Sequence, residues 1–513
     1  MRDDVFLLGT DIGTQGTKTV LVNLEGKVIS SSFFEYDVLK PRPLWAEQWP
    51  RVWYEAVCRT IRESIEKGKV KPDKIGGLCV SGLYGGSGVP VDKDMNPVRP
   101  CLIWMDRRAT DEVEWVRKNV DLKELFRITG NLVDTYYGFT KILWIKNKEP
   151  GNWKKISKFV PPNDYIIYKL TGKLAIDYSS AGNLGGLFDL RKRSWSITLA
   201  KELGIPTNYM PQNLVSSSDI VGKITKEASR LTGLREGTPV VAGGIDAAVA
   251  TLSAGAFEEG DHVAMVGTSM CWGIVHDGRR LSKKLVSMPY VAYPERKIYT
   301  WGGAATAGAL VRWFRDEFGG IEKEEAKLLN ISPFSILDSE AKKVPPGSDG
   351  LIVLPYFMGE RSPIWDPNAR GTILGLTLYH RRAHIYRALL EGVAYALRHN
   401  IETGKRIGIK LKKTCILVGG ASKSELWRQI FADVTEHPQI TIKGEIGAPL
   451  GDALLAGVGI GAIKSYEKIK EWLSFNPSAE PIAENTRVYH KLFIQYLNLY
   501  KNIKGNMKAL GKI

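Results

Sequence analysis

A unit made of an apolar strand, a glycine–threonine turn and a second apolar strand occurs twice in this chain, about half its length apart. The first copy is "FLLGTDIGTQGTKTVLVN" (Phe6 to Asn23) and the second is "HVAMVGTSMCWGIV" (His262 to Val275). In each, short apolar or β-branched runs flank glycines and hydroxyl residues that favour a tight strand-to-strand turn. Two copies of one supersecondary unit at half-length spacing predict a duplication, with two similar α/β domains facing each other across a cleft. A chain of 513 residues agrees, because domains of roughly 100 to 250 residues imply two or three cores.

A turn of this kind leaves backbone N–H groups pointing outward. Beside Thr14, Thr17 and Lys18 it offers donors of the sort that phosphate oxygens need. Asp11 would repel a bare phosphate, so its place there makes chemical sense when a divalent cation lies between the two. The alternative at this stage is a plain hairpin with a surface aspartate. Asp246 poses a similar choice, following the strand-like Val240-Val241-Ala242 and two glycines at the start of a small-residue run. It is either a helix N-cap or a carboxylate placed to accept the proton of an attacking hydroxyl.

Helical patterning surrounds these turns. "WPRVWYEAVCRTIRESIEKG" carries Trp53, Val57, Ile61 and Ile65 on one stripe between Pro50 and Gly68. "AHIYRALLEGVAYALRHNIE" likewise predicts a helix with Ile385, Leu389, Val393 and Leu397 on a single buried face. "TCILVGG" followed by "ASKSELWRQIFADVT" reads as strand, glycine turn and helix, an arrangement that places ligands at the strand's carboxyl end.

Several functional classes are excluded or disfavoured. No P-loop pattern and no protein-kinase signature set occurs. "GVGIGA" (Gly457 to Ala462) matches the loose dinucleotide pattern but follows the helix-like "PLGDALLA", so it reads as close helix packing. His380 and His384 have the spacing of a helical zinc pair without a third ligand, and a capping or packing role for His384 is the better reading. The five cysteines are dispersed and contain no C-x-x-C pair, which argues against a disulfide framework. The acidic start "MRDDVFLLGTDIG" does not resemble a signal peptide, and no stretch approaches the roughly 18 apolar residues of a membrane helix. The expectation is a cytoplasmic protein without membrane partners. The net charge of +16 comes from basic residues mixed with acidic ones along the chain, so nucleic acid is not expected as a partner, whereas a small anionic ligand is compatible.

Taken together, these residues resemble the FGGY carbohydrate kinases. "GTILGLTLYHRRAHIYRALLE" (Gly371 to Glu391) fits the family's second signature at each constrained position, including Gly375, His384, Ala388 and Glu391. "YYGFTKILWIKNK" keeps Lys141 and Trp144 of the first signature but departs from it at Gly138 and Lys148. "PYFMGERSPIWDPNARG" and "VYHKLFIQYLNLYKNI" are most similar to the xylulokinase and gluconate-kinase branch. The resemblance implies duplicated actin-like (ribonuclease H-like) α/β domains about a catalytic cleft, with residues 1–250 binding sugar and residues 251–513 binding nucleotide. It implies ATP and Mg²⁺ as cofactors, a small sugar or sugar-acid substrate, and a homodimer as a common family assembly.

Carried over residue by residue, the resemblance directs Asp11 to Mg²⁺ and Thr14, Gln15 and Lys18 to the β- and γ-phosphates. It makes Gly267 and Thr268 the second phosphate turn, Gly308 and Arg312 nucleotide-wall positions, and Gly420, Ala421 and Ser424 an adenosine motif. Asp246 corresponds to the catalytic base, and Tyr84, Gly85, Trp104, Asp106 and Tyr136 to the sugar pocket. One departure bears on substrate. Where many xylulokinases carry Gln-Met-His-Gly, this chain has Leu83-Tyr84-Gly85-Gly86, and Ala247 replaces the asparagine that often follows the base. The implied activity is ATP-dependent phosphorylation of a terminal hydroxyl of a xylulose-like ketose, with another polyol or an aldonate such as gluconate as the alternative acceptor. The predicted pocket has an aromatic surface and extra space, so D-xylulose should not be the uniquely best acceptor. A sugar-sensing actin-like ATPase module is the non-catalytic alternative.

Overall fold

The computed structural model describes residues 5–444 and 447–511. It contains two compact units, one formed by Met1–Glu258, Val275–Thr300 and Glu445–Ser474, the other by Glu259–Ile274, Trp301–Gly444 and Phe475–Ile513.

In the first unit, β1 (Phe6–Ile12) and β2 (Gly16–Asn23) form the expected antiparallel hairpin, extended by β3 (Val28–Glu35). On the other side β1 runs parallel to β4 (Ile75–Gly82), followed by β5 (Ile220–Lys223) and β6 (Pro239–Val241), giving the order β5-β6-β4-β1-β2-β3. Leu7, Leu8, Leu21, Leu78 and Val80 are buried in the sheet, as expected of strands covered on both faces. The helix Pro50–Gly68 lies on one face with Trp53, Val57, Ile61 and Ile65 buried, matching the sequence stripe. On the sheet also packs a helix from far along the chain, Ala448–Gly459. Its approach requires glycine at position 9, since a Cβ there would lie 1.8 Å from the Pro449 carbonyl oxygen. Gly457 and Gly459 belong to this helix and not to a nucleotide loop, as the packing reading expects.

The second unit repeats the pattern. β7 (His262–Val266) pairs antiparallel with β8 (Met270–His276) and parallel with β9 (Cys415–Val418), and β9 pairs parallel with β10 (Gln439–Ile440). This is the order of β2, β1, β4 and β6, so the duplication expected from the two turns is also a duplication of topology.

The helix Arg382–Arg406 corrects one expectation. It is buried on nearly every side, and Ile385, assigned to the apolar face, is only partly buried. Arg387 and Glu391, which look like a polar face in sequence, are interior and paired at 2.9 Å, with Tyr489 donating to Glu391 at 2.8 Å. His384 acts as a cap: its Nδ1 accepts the Arg381 N–H at 3.2 Å. Among the described residues no helix is long and apolar enough to cross a membrane.

Candidate active site

The first glycine turn is held from behind. Gly13 N donates to Gly16 O at 3.0 Å, Tyr36 OH to Gly13 O at 2.8 Å, Gln48 Nε2 to Thr14 O at 2.9 Å, and Tyr36 N to Gln15 O at 3.1 Å. Three successive carbonyls therefore face protein donors. Because the peptide is planar and trans, the N–H groups of Thr14, Gln15 and Gly16 point the opposite way. Outward-pointing amides of this kind are the donors a phosphate-binding turn would need. Thr14 Oγ1 accepts Trp104 Nε1 at 2.9 Å, which leaves its own proton for another acceptor.

Asp11 ends β1 beside this turn, opposite Lys18 in the hairpin and Ser81 in the parallel register. Ser81 Oγ donates to Asp11 Oδ1 at 3.3 Å. Asp246 begins the helix Asp246–Ser253, whose N-cap is Ile245, so the N-cap alternative for Asp246 does not hold. A relay places this segment: Asp177 accepts the Ser179 hydroxyl and the amides of Ser179 and Ser180, and Ser179 Oγ accepts Ile245 N at 3.1 Å. Gly82 N completes it by donating to Gly244 O at 3.0 Å.

Asp11 and Asp246 are both partly exposed. Desolvation raises both carboxyls above the usual range, and the charge of Asp246 raises Asp11 further. Two mutually repelling carboxylates with oxygen-only donors suit a hard divalent cation. Among the described residues no cluster of three or more metal-binding side chains occurs. The residues therefore fit Mg²⁺, which retains waters and shares substrate phosphates, better than a metal that needs a full protein cage.

Around the predicted sugar pocket, Tyr84 and Tyr136 are both buried. Gly85 has φ +86°, and a Cβ on it would lie 2.7 to 2.9 Å from the Tyr136 ring atoms and hydroxyl. The extra space expected at Gly85 is thus occupied by Tyr136, whose hydroxyl is 3.2 Å from Asn183 Oδ1. Beneath them the buried Lys141 ammonium donates to the carbonyls of Gly85, Thr135 and Tyr136, each at 2.7 Å. Burial draws Lys141 down to about 7, opposed by the charge of Asp106. Asp106 itself is fully buried, with Oδ2 accepting Ala46 N at 2.7 Å and Arg108 Nη2 at 2.7 Å. Arg108 in turn stacks 3.5 Å from the Trp45 ring centroid. These contacts give Asp106 a structural task in supporting the short strand Glu47–Gln48, and Gln48 holds the first glycine turn through Thr14 O.

In the second unit, Gly308 N donates to Gly267 O at 2.8 Å, and Ala307 N and Ala309 N donate to Thr268 O at 3.0 Å. The same peptide-plane argument turns the Thr268 and Ser269 N–H groups outward. One turn along the helix Gly308–Phe318, Arg312 Nη2 reaches Thr268 Oγ1 at 3.0 Å. Beside β7, β9 leads into a 3₁₀ turn, Gly420–Lys423, with Gly420 exposed and Ala421 buried. Ser424 caps the helix Glu425–Thr435 by accepting Trp427 N at 3.0 Å. Gly267, Thr268, Gly308 and Arg312 therefore form one local cluster, and the turn that holds Gly420, Ala421 and Ser424 lies beside it, since a Cβ on Gly419 would stand 2.6 Å from the Val266 carbonyl oxygen at the end of β7.

The architecture and its paired glycine turns have counterparts among known proteins. Two family models match, the N-terminal domain of the FGGY family of carbohydrate kinases over residues 6–253 and its C-terminal domain over residues 262–460. The chain belongs to the FGGY family of carbohydrate kinases. It is 31% identical over 511 residues to the xylulose kinase of Bacillus subtilis, covering 98% of each chain. It is 29% identical over 507 residues to that organism's gluconokinase, covering 99% of this chain and 98% of the relative. The crystal structure of xylulose kinase from Rhodospirillum rubrum superposes with a TM-score of 0.88 at 29% identity, covering 98% of this chain and 99% of that one. This FGGY protein is thus a carbohydrate kinase, and the non-catalytic alternative is set aside.

Two residues of the Asp11 environment were not singled out in the sequence, Ser81 and Asp452. Asp452 sits in "PLGDALLA", where a lone carboxylate amid small apolar residues was the available signal.

Proposed function

We propose that this FGGY kinase transfers the γ-phosphoryl group of ATP to a terminal hydroxyl of a small sugar, a xylulose-like ketose being the leading acceptor. The observation that carries the reading is the placement of Asp246 and Asp11 beside a turn whose amides face outward. Asp246 takes the proton of the attacking hydroxyl, which makes the oxygen nucleophilic as it approaches phosphorus. The amides of Thr14 and Gln15, together with Lys18, bind phosphate oxygens and neutralise charge that develops during transfer. Asp11 would hold Mg²⁺, which when bound supplies electrostatic stabilisation of the phosphates. In the second unit, the amides of Thr268 and Ser269 bind phosphate, Gly308 and Arg312 border the nucleotide, and Gly420, Ala421 and Ser424 meet adenosine. Residues 1–250 carry the acceptor side and residues 251–513 the nucleotide side, except that Val275–Thr300 and Glu445–Ser474 pack with the first unit.

For the acceptor, the walls are Tyr84, Gly85, Trp104 and Tyr136, while Asp106 acts behind them by holding the segment that leads to Gln48. Tyr136 fills the room that Gly85 leaves, so the pocket presents a ring face where a polar side chain would discriminate among hydroxyl patterns. Loss of one paired polar contact costs about 1 to 3 kcal/mol of discrimination. D-Xylulose is therefore expected to share the site with other acceptors. Gluconate is the second reading, supported by the similarity to a gluconokinase. The test is coupled ADP release over ketopentoses, polyols, hexuloses and aldonates. ADP release that does not depend on any small acceptor would refute phosphoryl transfer to sugar. A preference for D-xylulose by about two orders of magnitude in kcat/KM would refute the pocket argument.

A further inference from the structure

Asp452 is fully buried in the helix Ala448–Gly459, among small and apolar neighbours, where an alanine or leucine would be the ordinary occupant. Among the described residues no ion pair offsets it. Its oxygens instead meet two side chains at the end of β4: Ser81 Oγ at 2.7 Å and Cys79 Sγ at 3.3 Å. Ser81 is the same residue whose hydroxyl lies 3.3 Å from Asp11 Oδ1. A buried carboxyl destabilises a fold unless it has a task, and here its contacts lead to one place.

We propose that Asp452 is a positioning residue for phosphoryl transfer, acting through the Ser81 hydroxyl to fix the Asp11 carboxylate. This rests on the reading that Asp11 serves the metal. A serine hydroxyl carries one proton and accepts through its lone pairs. Ser81 Oγ donates to Asp452 Oδ2 at 2.7 Å and lies 3.3 Å from Asp11 Oδ1, so the Asp452 contact holds the serine rotamer that reaches Asp11 and leaves the other Asp11 oxygen for the cation side. A side chain at 452 that cannot hydrogen-bond frees the Ser81 rotamer, and Asp11 loses the contact that fixes its orientation. The helix that carries Asp452 is also the one pressed against β1 at Gly9, so the relay and the packing hold the same strand.

The test uses the full-length protein with Mn²⁺ as the probe, followed by electron paramagnetic resonance in the presence of a non-hydrolysable ATP analogue, together with thermal unfolding and sugar KM. Ser81→Ala and Asp452→Leu are expected to weaken Mn²⁺ binding about fivefold, the scale of one hydrogen bond, with sugar KM unchanged. Asp452→Asn retains an oxygen that accepts from Ser81 and should stay within about twofold of the parent protein. A purely structural role would show itself in unfolding temperature and leave metal affinity untouched. Parent-like Mn²⁺ binding by Ser81→Ala, and by Asp452→Leu where it folds, overturns the relay. Asp11→Asn is the control: if it binds Mn²⁺ normally, the assignment of Asp11 fails and the relay falls with it, whereas loss there but not in the other variants refutes the relay alone.

Discussion

Replacing Gly85 by alanine puts the proposed acceptor pocket under a defined strain. The residue has φ +86°, and left-handed backbone costs a side-chain-bearing residue about 1 to 2 kcal/mol. The new Cβ would stand 2.7 to 2.9 Å from Tyr136, whereas relaxed carbon contacts lie at about 3.5 to 4.0 Å, so a gap of about 1 Å must open. The two backbones cannot part to provide it, because one Lys141 ammonium binds both the Gly85 and Tyr136 carbonyls at 2.7 Å. The ring must rotate instead, at the expense of the 3.2 Å contact between its hydroxyl and Asn183, worth about 1 kcal/mol. The expected total is about 2 to 3 kcal/mol, divided between lower stability and a displaced pocket wall. Denaturant unfolding reads the first part and acceptor KM the second, with ATP KM unchanged because the phosphate turns are untouched. A Gly85→Ala protein with both the parent unfolding midpoint and the parent acceptor KM would refute the claim that Tyr136 and Lys141 lock this loop.

Asp246→Asn keeps the size of the side chain but removes its basicity, so kcat should fall roughly 10²- to 10⁴-fold with nucleotide affinity nearly unchanged. Near-parent turnover, measured by the same coupled assay, would remove Asp246 from the role of base. Glu360 gives a pH-dependent prediction in the second unit. Burial raises it from 4.5 to about 7, against the Arg361 and Ala305 amides that donate to Oε1. Since the folded protein binds this proton more tightly than the unfolded chain, its contribution is fully present below about pH 4.5. It is lost as pH rises to about 7, up to about 3 kcal/mol. Glu360→Gln should flatten the stability profile across that window, and an unchanged slope in denaturant titrations would count against it.

Local patterning made the hairpins and their turns legible, because strand runs and glycine–hydroxyl turns are properties of adjacent residues. The helix Pro50–Gly68 was legible for the same reason: its stripe meets one sheet face and nothing else. Patterning misled where burial was all-round. Arg387 and Glu391 imitate a solvent face in the helix Arg382–Arg406, but each satisfies the other inside the protein, with Tyr489 from a distant helix completing the set. At Gly85 the absence of a side chain suggested space, yet what fills that space is a ring 51 positions later in the chain, which spacing alone cannot reveal. Ser81 and Asp452 were invisible for an extreme version of this reason, being 371 positions apart in the chain.

The second signature shows what such a motif reports. Gly375 has φ +100° and abuts the Gly350 carbonyl, His384 caps a helix, and Glu391 joins an interior ion pair. These tasks belong to the fold of the second unit and impose nothing on the acceptor. An intact signature therefore goes with membership of a kinase family while leaving the substrate open. Under the proposed pocket assignment, acceptor choice is to be sought at Tyr84 and Gly85, and in the Tyr136 ring that lies against Gly85. Because Lys141 fastens those two loops with a single ammonium, changes at any one of these positions should shift acceptor preference together with the stability of the others, and not independently of it.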